Sequence, residues 1–301
     1  MAIEALLQHP SHQWKTWIEE NLERRELIIL DPGCAIYHAP CMISRMSECQ
    51  VIDWRFIGTS EAAHSPLALI RGAKNLLDSV SRDAVVLMPN YKSSPVNHEI
   101  YETLFCLFSP ERLLIPSGVN PGKNSWPTCV EIPLNAPMEV VFSTQRRARW
   151  IELIEGQEVH ELLLHEVHFS ESRLGLGDKI LLESASFPAS VVWAERHGDS
   201  LFVICDKNES LENFEQARKK LGLKKVVVAQ SADYSGLLVG LYRHQSEPIA
   251  MGIIQKTDFR NGKIWIKSKI APGTKIARIQ LGLLRLDSVG KELGELRPWT
   301  V

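Results

Sequence analysis

A Lys-Thr pair, Lys15-Thr16, closes a short loop and opens a helix-like run, WIEENLERR, which leads into apolar LIIL and then Asp31-Pro32-Gly33. That is the order in which a phosphate-binding loop is built. In G-x-x-x-x-G-K-[ST] the glycines let backbone N–H groups curl around phosphate, and the Lys and hydroxyl serve phosphate and magnesium. Counted back from the pair, His9 and Trp14 occupy the two glycine places. A residue held left-handed there costs about 1–2 kcal/mol, and an indole beside Lys15 takes room that a phosphate needs. Lys15 and Thr16 are therefore either the remnant of an anion site or the polar start of an ordinary helix. Asp31 is either a reactive carboxylate at a strand end or the first residue of a turn. Arg146, Arg147 and Arg149 in QRRARW either grip phosphate or an acidic surface, or lie on a solvated face.

Other candidates are weaker. GVNPGKNS (118–125) superficially suggests a phosphate loop, but its glycine spacing is one residue short and no apolar helix follows Lys123. His160, His165 and His168, like His9 and His12, have no acidic or cysteine partner at ligand spacing, so no metal site is assigned. The six cysteines form no C-x-x-C pair and there is no signal-peptide core or membrane-length apolar run, so reduced thiols in a cytoplasmic protein without a membrane span are expected. Net charge is −2, which excludes a global field recruiting nucleic acid, yet residues 251–301 hold ten Lys/Arg against four Asp/Glu. That excess is either a phosphate-binding patch or a solvated sheet face. Tryptophans act as core or interface anchors, with Trp126 and Trp299 suited to a partner surface.

A chain of 301 residues holds one large or two medium domains. Residues 2–8 fit a strand or a helix, and 15–25 a helix with Trp14, Trp17, Ile18 and Leu22 on one side. Strands are expected at 27–30, 51–57, 84–88, 112–116 and 140–142, with helices at 67–80, 99–108 and 144–154. Prolines and glycines make 117–137 a long irregular connection. Strands alternating with helices predict an α/β domain with a parallel sheet flanked by helices over 1–160. From 161 to 301 the pattern predicts a mostly antiparallel β-rich domain, with strands near 162–169, 179–183, 190–196, 201–205, 225–229, 237–242, 249–259, 263–270 and 276–286. A helix is expected at 211–221 and a hairpin at Gly262.

Several landmarks in this order resemble the polynucleotide 5′-hydroxyl kinases of RNA processing, a family with a P-loop NTPase-like fold. It includes the kinase subunit of the pre-mRNA cleavage factor, the nucleolar pre-rRNA kinase and archaeal relatives. The stretch His9 to Thr16 is similar to GPxxSGKS/T, with Pro10 in second place. LDPGCAIYHAP (30–40) resembles the D-x-DPGQ stretch, FIGTSEAAHSPLALIRGAKNLLDSV (56–80) the FVGxTSP segment and its helix, and QRRARW the arginine-bearing lid, about 144–154. GLLVGLYR (236–243), GIIQKTDF (252–259) and LGLLRLDSVGKELG (281–294) resemble the C-terminal domain, while the separate N-terminal β domain of eukaryotic members is expected to be absent.

If the chain acts as the family does, the resemblance makes Lys15, Asp31, Arg146 and Arg149 catalytic and Lys15 and Thr16 the nucleotide-phosphate contacts, with ATP and magnesium as cofactors. It also places Ile29 at the first acid of D-x-D, Cys34 at the glutamine and Met88 at the acid of D-T-x-G. Phosphoryl transfer rests on positioning and charge neutralisation, so these substitutions favour a non-catalytic relative needing no cofactor. That relative would be a scaffold for RNA or RNA-processing proteins, able to form homo- or hetero-oligomers. The alternatives are an active ATP-dependent polynucleotide kinase with a rearranged site, and a protein-interaction module without nucleic acid.

Overall fold

The apolar segment at 2–8 is a strand, and it lies inside a sheet. The computed structural model describes residues 2–8, 14–22, 25–80, 83–117, 127–134, 142–244 and 247–297. The chain divides into two units, Met1–Glu152 and Leu153–Val301. The first holds strands β1 (Ile3–Gln8), β2 (Glu26–Ile29), β3 (Met42–Ser47), β4 (Gln50–Phe56), β5 (Ala84–Asn90), β6 (Arg112–Pro116) and β7 (Cys129–Ile132) in the order β4-β3-β2-β5-β1-β6-β7. From β2 to β7 the neighbours run parallel; β3 and β4 add an antiparallel hairpin at one edge.

Both sheet faces are buried, which is why the central strands read as unbroken apolar runs. Ala5, Leu7, Ile28, Leu30, Val86 and Met88 face one cluster with residues of helices α2 (Pro66–Leu77) and α3 (Pro95–Phe108). Leu6, Leu27, Ile29, Val85 and Leu87 face the other with Trp14 and with Ile18 of helix α1 (Lys15–Asn21). Pro66 opens α2, where its missing N–H costs no helix bond, and Ser94 caps α3 by accepting from the N–H of Asn97. Helix α4 (Phe142–Ile154) buries Trp150 completely.

In the second unit a four-stranded sheet, β10-β11-β12-β13, is formed by Asp178–Lys179, Val191–His197, Ser200–Cys205 and Lys225–Gln230. The other sheet runs β18-β17-β14-β15-β16-β8: Glu292–Glu295, Arg278–Leu286, Leu237–Tyr242, Pro248–Asp258, Lys263–Ser268 and Glu158–Leu163. Strand β9 (His168–Ser170) pairs with β17. Pairing is antiparallel except for β12–β13 and β17–β9. The sheets share one core, in which Phe202, Ile204 and Ala229 of the first meet Val239, Leu241, Ile264 and Ile279 of the second. Helix α5 (Glu215–Lys220) covers the outer face of the four-stranded sheet. Glu195, 1% exposed, accepts from the N–H groups of Gly175 and Gly177, Trp193 Nε1 and His197 Nε2, which pins the segment before β10 to β11.

Several expectations need correction. The connection at 117–137 is not wholly irregular: β7 continues the sheet beside β6, a short edge strand whose flanking prolines hide it. Strand β3 has no counterpart among the expected strands, because MISRMS alternates poorly and is recognised only by its hairpin with β4. Phe142 begins α4 instead of ending a strand, and 135–141 lie outside the described residues. The expected strand at 162–169 is two strands either side of a turn: Leu164 N–H still bonds to Gly262 in the register of β8 with β16, and the chain then reverses with Glu166 N–H on the Leu163 carbonyl at 3.0 Å. That at 179–183 shrinks to β10 followed by a 3₁₀ turn, Leu182–Ser184. GVNPGKNS, Trp126 and Trp299 lie outside the described residues.

Gly72 sets how closely α2 lies on the hairpin edge. A Cβ there would stand 2.9 Å from Ile43 Cδ1 and 3.3 Å from Arg55 Cβ. Gly72→Val should therefore lower stability by about 1–3 kcal/mol through overpacking, measured as a shift in the urea midpoint.

Candidate functional site

In open α/β sheets ligands sit outside the carboxyl ends of the strands, where strand order reverses. Here β1 is flanked by β5 and β6, so that place is formed by the chain leaving β1, by Asp31 after β2 and by Asn90-Tyr91 at the end of β5. Residues 9–13 of the loop, including His9 and His12, lie outside the described residues. Trp14, Lys15 and Thr16 lie inside.

Trp14 does not adopt the glycine-like conformation that the loop pattern implies. Its backbone is right-handed (φ −84°, ψ −5°), so the left-handed penalty does not arise. Its side chain is 1% exposed, packed with Leu6, Leu27, Ile29, Cys34 and Met46. The indole Nε1–H donates to the Leu7 carbonyl at 2.6 Å, and Trp17 meets the ring edge-on at 5.6 Å. The indole is thus a core side chain. Lys15 and Thr16 point outward from the first turn of α1, and Lys15 Nζ stands 3.8 Å from Glu19 on the same helix.

Asp31 is buried and ends β2 in a turn: its Oδ1 accepts from the Gly33 N–H at 3.1 Å and its carbonyl from the Cys34 N–H at 3.1 Å. A Cβ at Gly33 would stand 3.0 Å from the Ser60 carbonyl, so the turn presses against backbone. Farther along, Cys41 takes a left-handed conformation (φ 65°), held by its N–H to the Pro32 carbonyl and by its own carbonyl accepting from Ile57 and Gly58.

Arg149 reaches this loop from α4. Its Nε donates to the Ala35 carbonyl at 3.1 Å, Nη2 to Ile36 at 2.7 Å and Nη1 to Glu152 at 2.8 Å. Buried Trp150 beside it anchors the helix. Arg146 is half-buried and Arg147 exposed. The structure therefore brings together the Asp31 turn and Arg149, with Cys34 and Trp14 sharing one cluster beneath. It turns Lys15 and Thr16 outward, and it places Ile29 (0% exposed) and Met88 (1%) on opposite faces of the sheet core.

The loop also contains groups that sequence reasoning missed. Burial pushes the Cys34 thiol up to about 12, with the charge of Asp31 adding to the shift. Burial pushes His38 down to about 4 against the bond from its Nδ1 to the Ala39 carbonyl, and Arg149 lowers it further. No residue spacing flags either, because both shifts come from how the loop folds over itself. Among the described residues no group of three or more His, Cys, Asp or Glu could hold a metal ion, and no helix is long and apolar enough to cross a membrane.

No family model matches the chain. It is 24% identical over 156 residues to the polyribonucleotide 5′-hydroxyl-kinase of Methanocaldococcus jannaschii and 26% over 157 residues to that of Pyrococcus abyssi. Each match covers 50% of this chain and 42% of the relative, so the chain matches less than half the length of these curated relatives. Among solved structures it is similar to Clp1p in complexes with Pcf11p. TM-scores are 0.55 and 0.54 at 10% and 11% identity, covering 94% of this chain and 75% and 74% of those chains. The first of these concerns the extended interface of the two proteins and the structural basis for ATP loss in a glycine-to-arginine point mutant. These likenesses support a relation to the polynucleotide 5′-hydroxyl kinases, and the fold shared with the Clp1p structures is a mixed parallel sheet with helices followed by antiparallel sheets.

Two measurements follow from the loop. The unfolded His38 ring takes a proton near 6.5 and the folded ring only near 4, so stability is full above 6.5 and is lost as pH falls toward 4. The loss is about 2 kcal/mol by pH 5; urea midpoints at pH 7 and 5 should differ by less in His38→Gln. Iodoacetamide at pH 8 should label exposed Cys49 and Cys106 on the native protein, with Cys34 labelled only after unfolding, as peptide mass spectrometry reads.

Proposed function

We propose that this chain, a relative of the polynucleotide 5′-hydroxyl kinases, does not transfer phosphate and serves as a scaffold in RNA processing. The observation that carries the reading is the placement of Trp14. Its ring is built into the core and its N–H is used by Leu7, so the residue in the second glycine place works as a packing element. The other substitutions support the same reading. A magnesium-bound nucleotide needs hard oxygen ligands, yet Ile29 and Met88 present apolar side chains to the core, and Asp31 already accepts from Gly33. This donor set does not fit a magnesium nucleotide. Arg149, which the family resemblance assigns to a transferring phosphoryl group, holds loop carbonyls instead.

The partner proposed is an RNA-processing protein or its RNA. A protein partner is supported by Clp1p, whose solved structures contain Pcf11p. A second reading, an active kinase, is favoured by one feature: Lys15 and Thr16 stand exposed at the start of the helix that follows the central strand.

One assay separates the two. With radiolabelled ATP, magnesium and a 5′-hydroxyl oligoribonucleotide, transfer should not exceed the protein-free control, and ATP should produce no thermal shift. Robust transfer abolished by Lys15→Ala would overturn the scaffold reading.

A further inference from the structure

Strand β4 forms one edge of the seven-stranded sheet, and among the described residues no strand pairs with its outer side. Such an edge offers unpaired N–H and C=O groups to any extended chain that meets it. This one is also apolar: Val51 is 38% and Ile52 48% exposed, and Trp54 is half-buried.

Register decides which backbone groups the edge presents. Arg45 lies opposite Asp53 and Met46 opposite Val51, so Ile52 is an extra residue that bulges from the ladder. Beyond the bulge Arg45, Ser44 and Ile43 face Asp53, Trp54 and Arg55 in turn. In an antiparallel pair, residues alternate between bonding across to the neighbour and turning their N–H and C=O away from it. Trp54 is of the second kind, because flanking side chains take both of its groups. Its N–H donates to Asp53 Oδ1 at 2.8 Å, and its carbonyl accepts from Arg55 Nη1 at 2.6 Å. The same Nη1 also reaches the Asp53 carboxylate.

Neither side chain is a loose surface group. Arg55 is 16% and Asp53 23% exposed. The Arg55 stem packs against Gly72 of α2, and its Nε–H is buried without a partner among the described residues. An unmet buried donor is costly, yet the guanidinium is kept where it covers the Trp54 carbonyl.

The strand is also self-complementary. Two copies of β4 laid antiparallel about Trp54 would exchange N–H···O=C bonds between their Trp54 residues. They would also set Asp53 of each copy directly opposite Arg55 of the other.

We propose that Asp53 and Arg55 form an autoinhibitory clasp that closes this edge to strand addition by a second copy of the chain. The clasp occupies the backbone pair at the centre of that join. It does so within one molecule, where no translational or rotational freedom is lost. While it holds, pairing of two copies exchanges bonds without adding any. The inference concerns the sheet edge and stands whether or not the chain transfers phosphate.

Sedimentation velocity of the full chain over a concentration series tests this, each variant first being checked by thermal unfolding. Wild type should not associate through this edge, so Ile52→Lys should leave its sedimentation unchanged. Asp53→Ala/Arg55→Met keeps an aliphatic stem against α2 and removes both caps. It should self-associate with a dissociation constant lower by at least about tenfold, the worth of two backbone bonds released for pairing. Adding Ile52→Lys, a charge on the edge, should reverse that association. Asp53→Ala alone frees only the N–H and should act in the same direction by a smaller factor; it decides the question where the double variant does not fold. Folded variants that sediment as wild type does at every concentration would overturn the proposal. So would association that Ile52→Lys does not reverse, which would put the contact elsewhere. A wild-type dimer that Ile52→Lys dissociates would do the same, because the edge would then be open.

Discussion

Burial of the central strand on both faces is the constraint from which the first unit follows. With Leu6 on one side and Leu7 on the other, β1 has no solvated face, and the chain that leaves it returns through the core at Trp14. Burying an indole N–H without a partner is costly, and the Leu7 carbonyl removes that cost while locking the ring beneath the strand. Once Trp14 faces inward, helical spacing carries Ile18 inward with it, and Lys15 and Thr16 are left facing solvent. The outward position of the Lys-Thr pair is thus a consequence of packing.

The same two-sided burial governs the neighbouring strand ends. Ile29 and Met88 occupy positions where a carboxylate would have to be hydrated or bound to a cation, and each is sealed within a different cluster. Asp31, two residues beyond the end of β2 and itself buried, keeps a carboxylate because the Gly33 N–H meets it. Arg149 then supplies donors to carbonyls that the turn leaves unpaired. The loop is consequently dry enough to hold His38 neutral and Cys34 protonated. Its polar groups stabilise the shape of the loop.

In the second unit the constraint is different. Two sheets bury one face each against the other; β16 alternates accordingly, while β14 is buried at every position. Lys263 of β16 pairs with Glu161, while Lys256 of β15 lies over the indole of Trp265.

The order of strands and helices, the parallel character of the first sheet, the antiparallel second unit and the hairpin at Gly262 were legible in the sequence. Apolar runs and turn residues report burial and chain reversal directly. Strands β3 and β7 and the split at 164–167 were not, because short or poorly alternating strands carry little hydrophobic signal. At the candidate site the spacing of the Lys-Thr pair flagged Trp14 at a glycine place, and the family resemblance flagged Ile29 and Met88 at places where the family has acids. Only the tertiary structure decided that Trp14 is a right-handed core residue, that Arg149 closes the Asp31 loop and that β4 stands at the edge of its sheet. Those facts depend on which strands become neighbours. Pairs such as Arg149 with Ala35 are far apart along the chain and meet only when the sheets form.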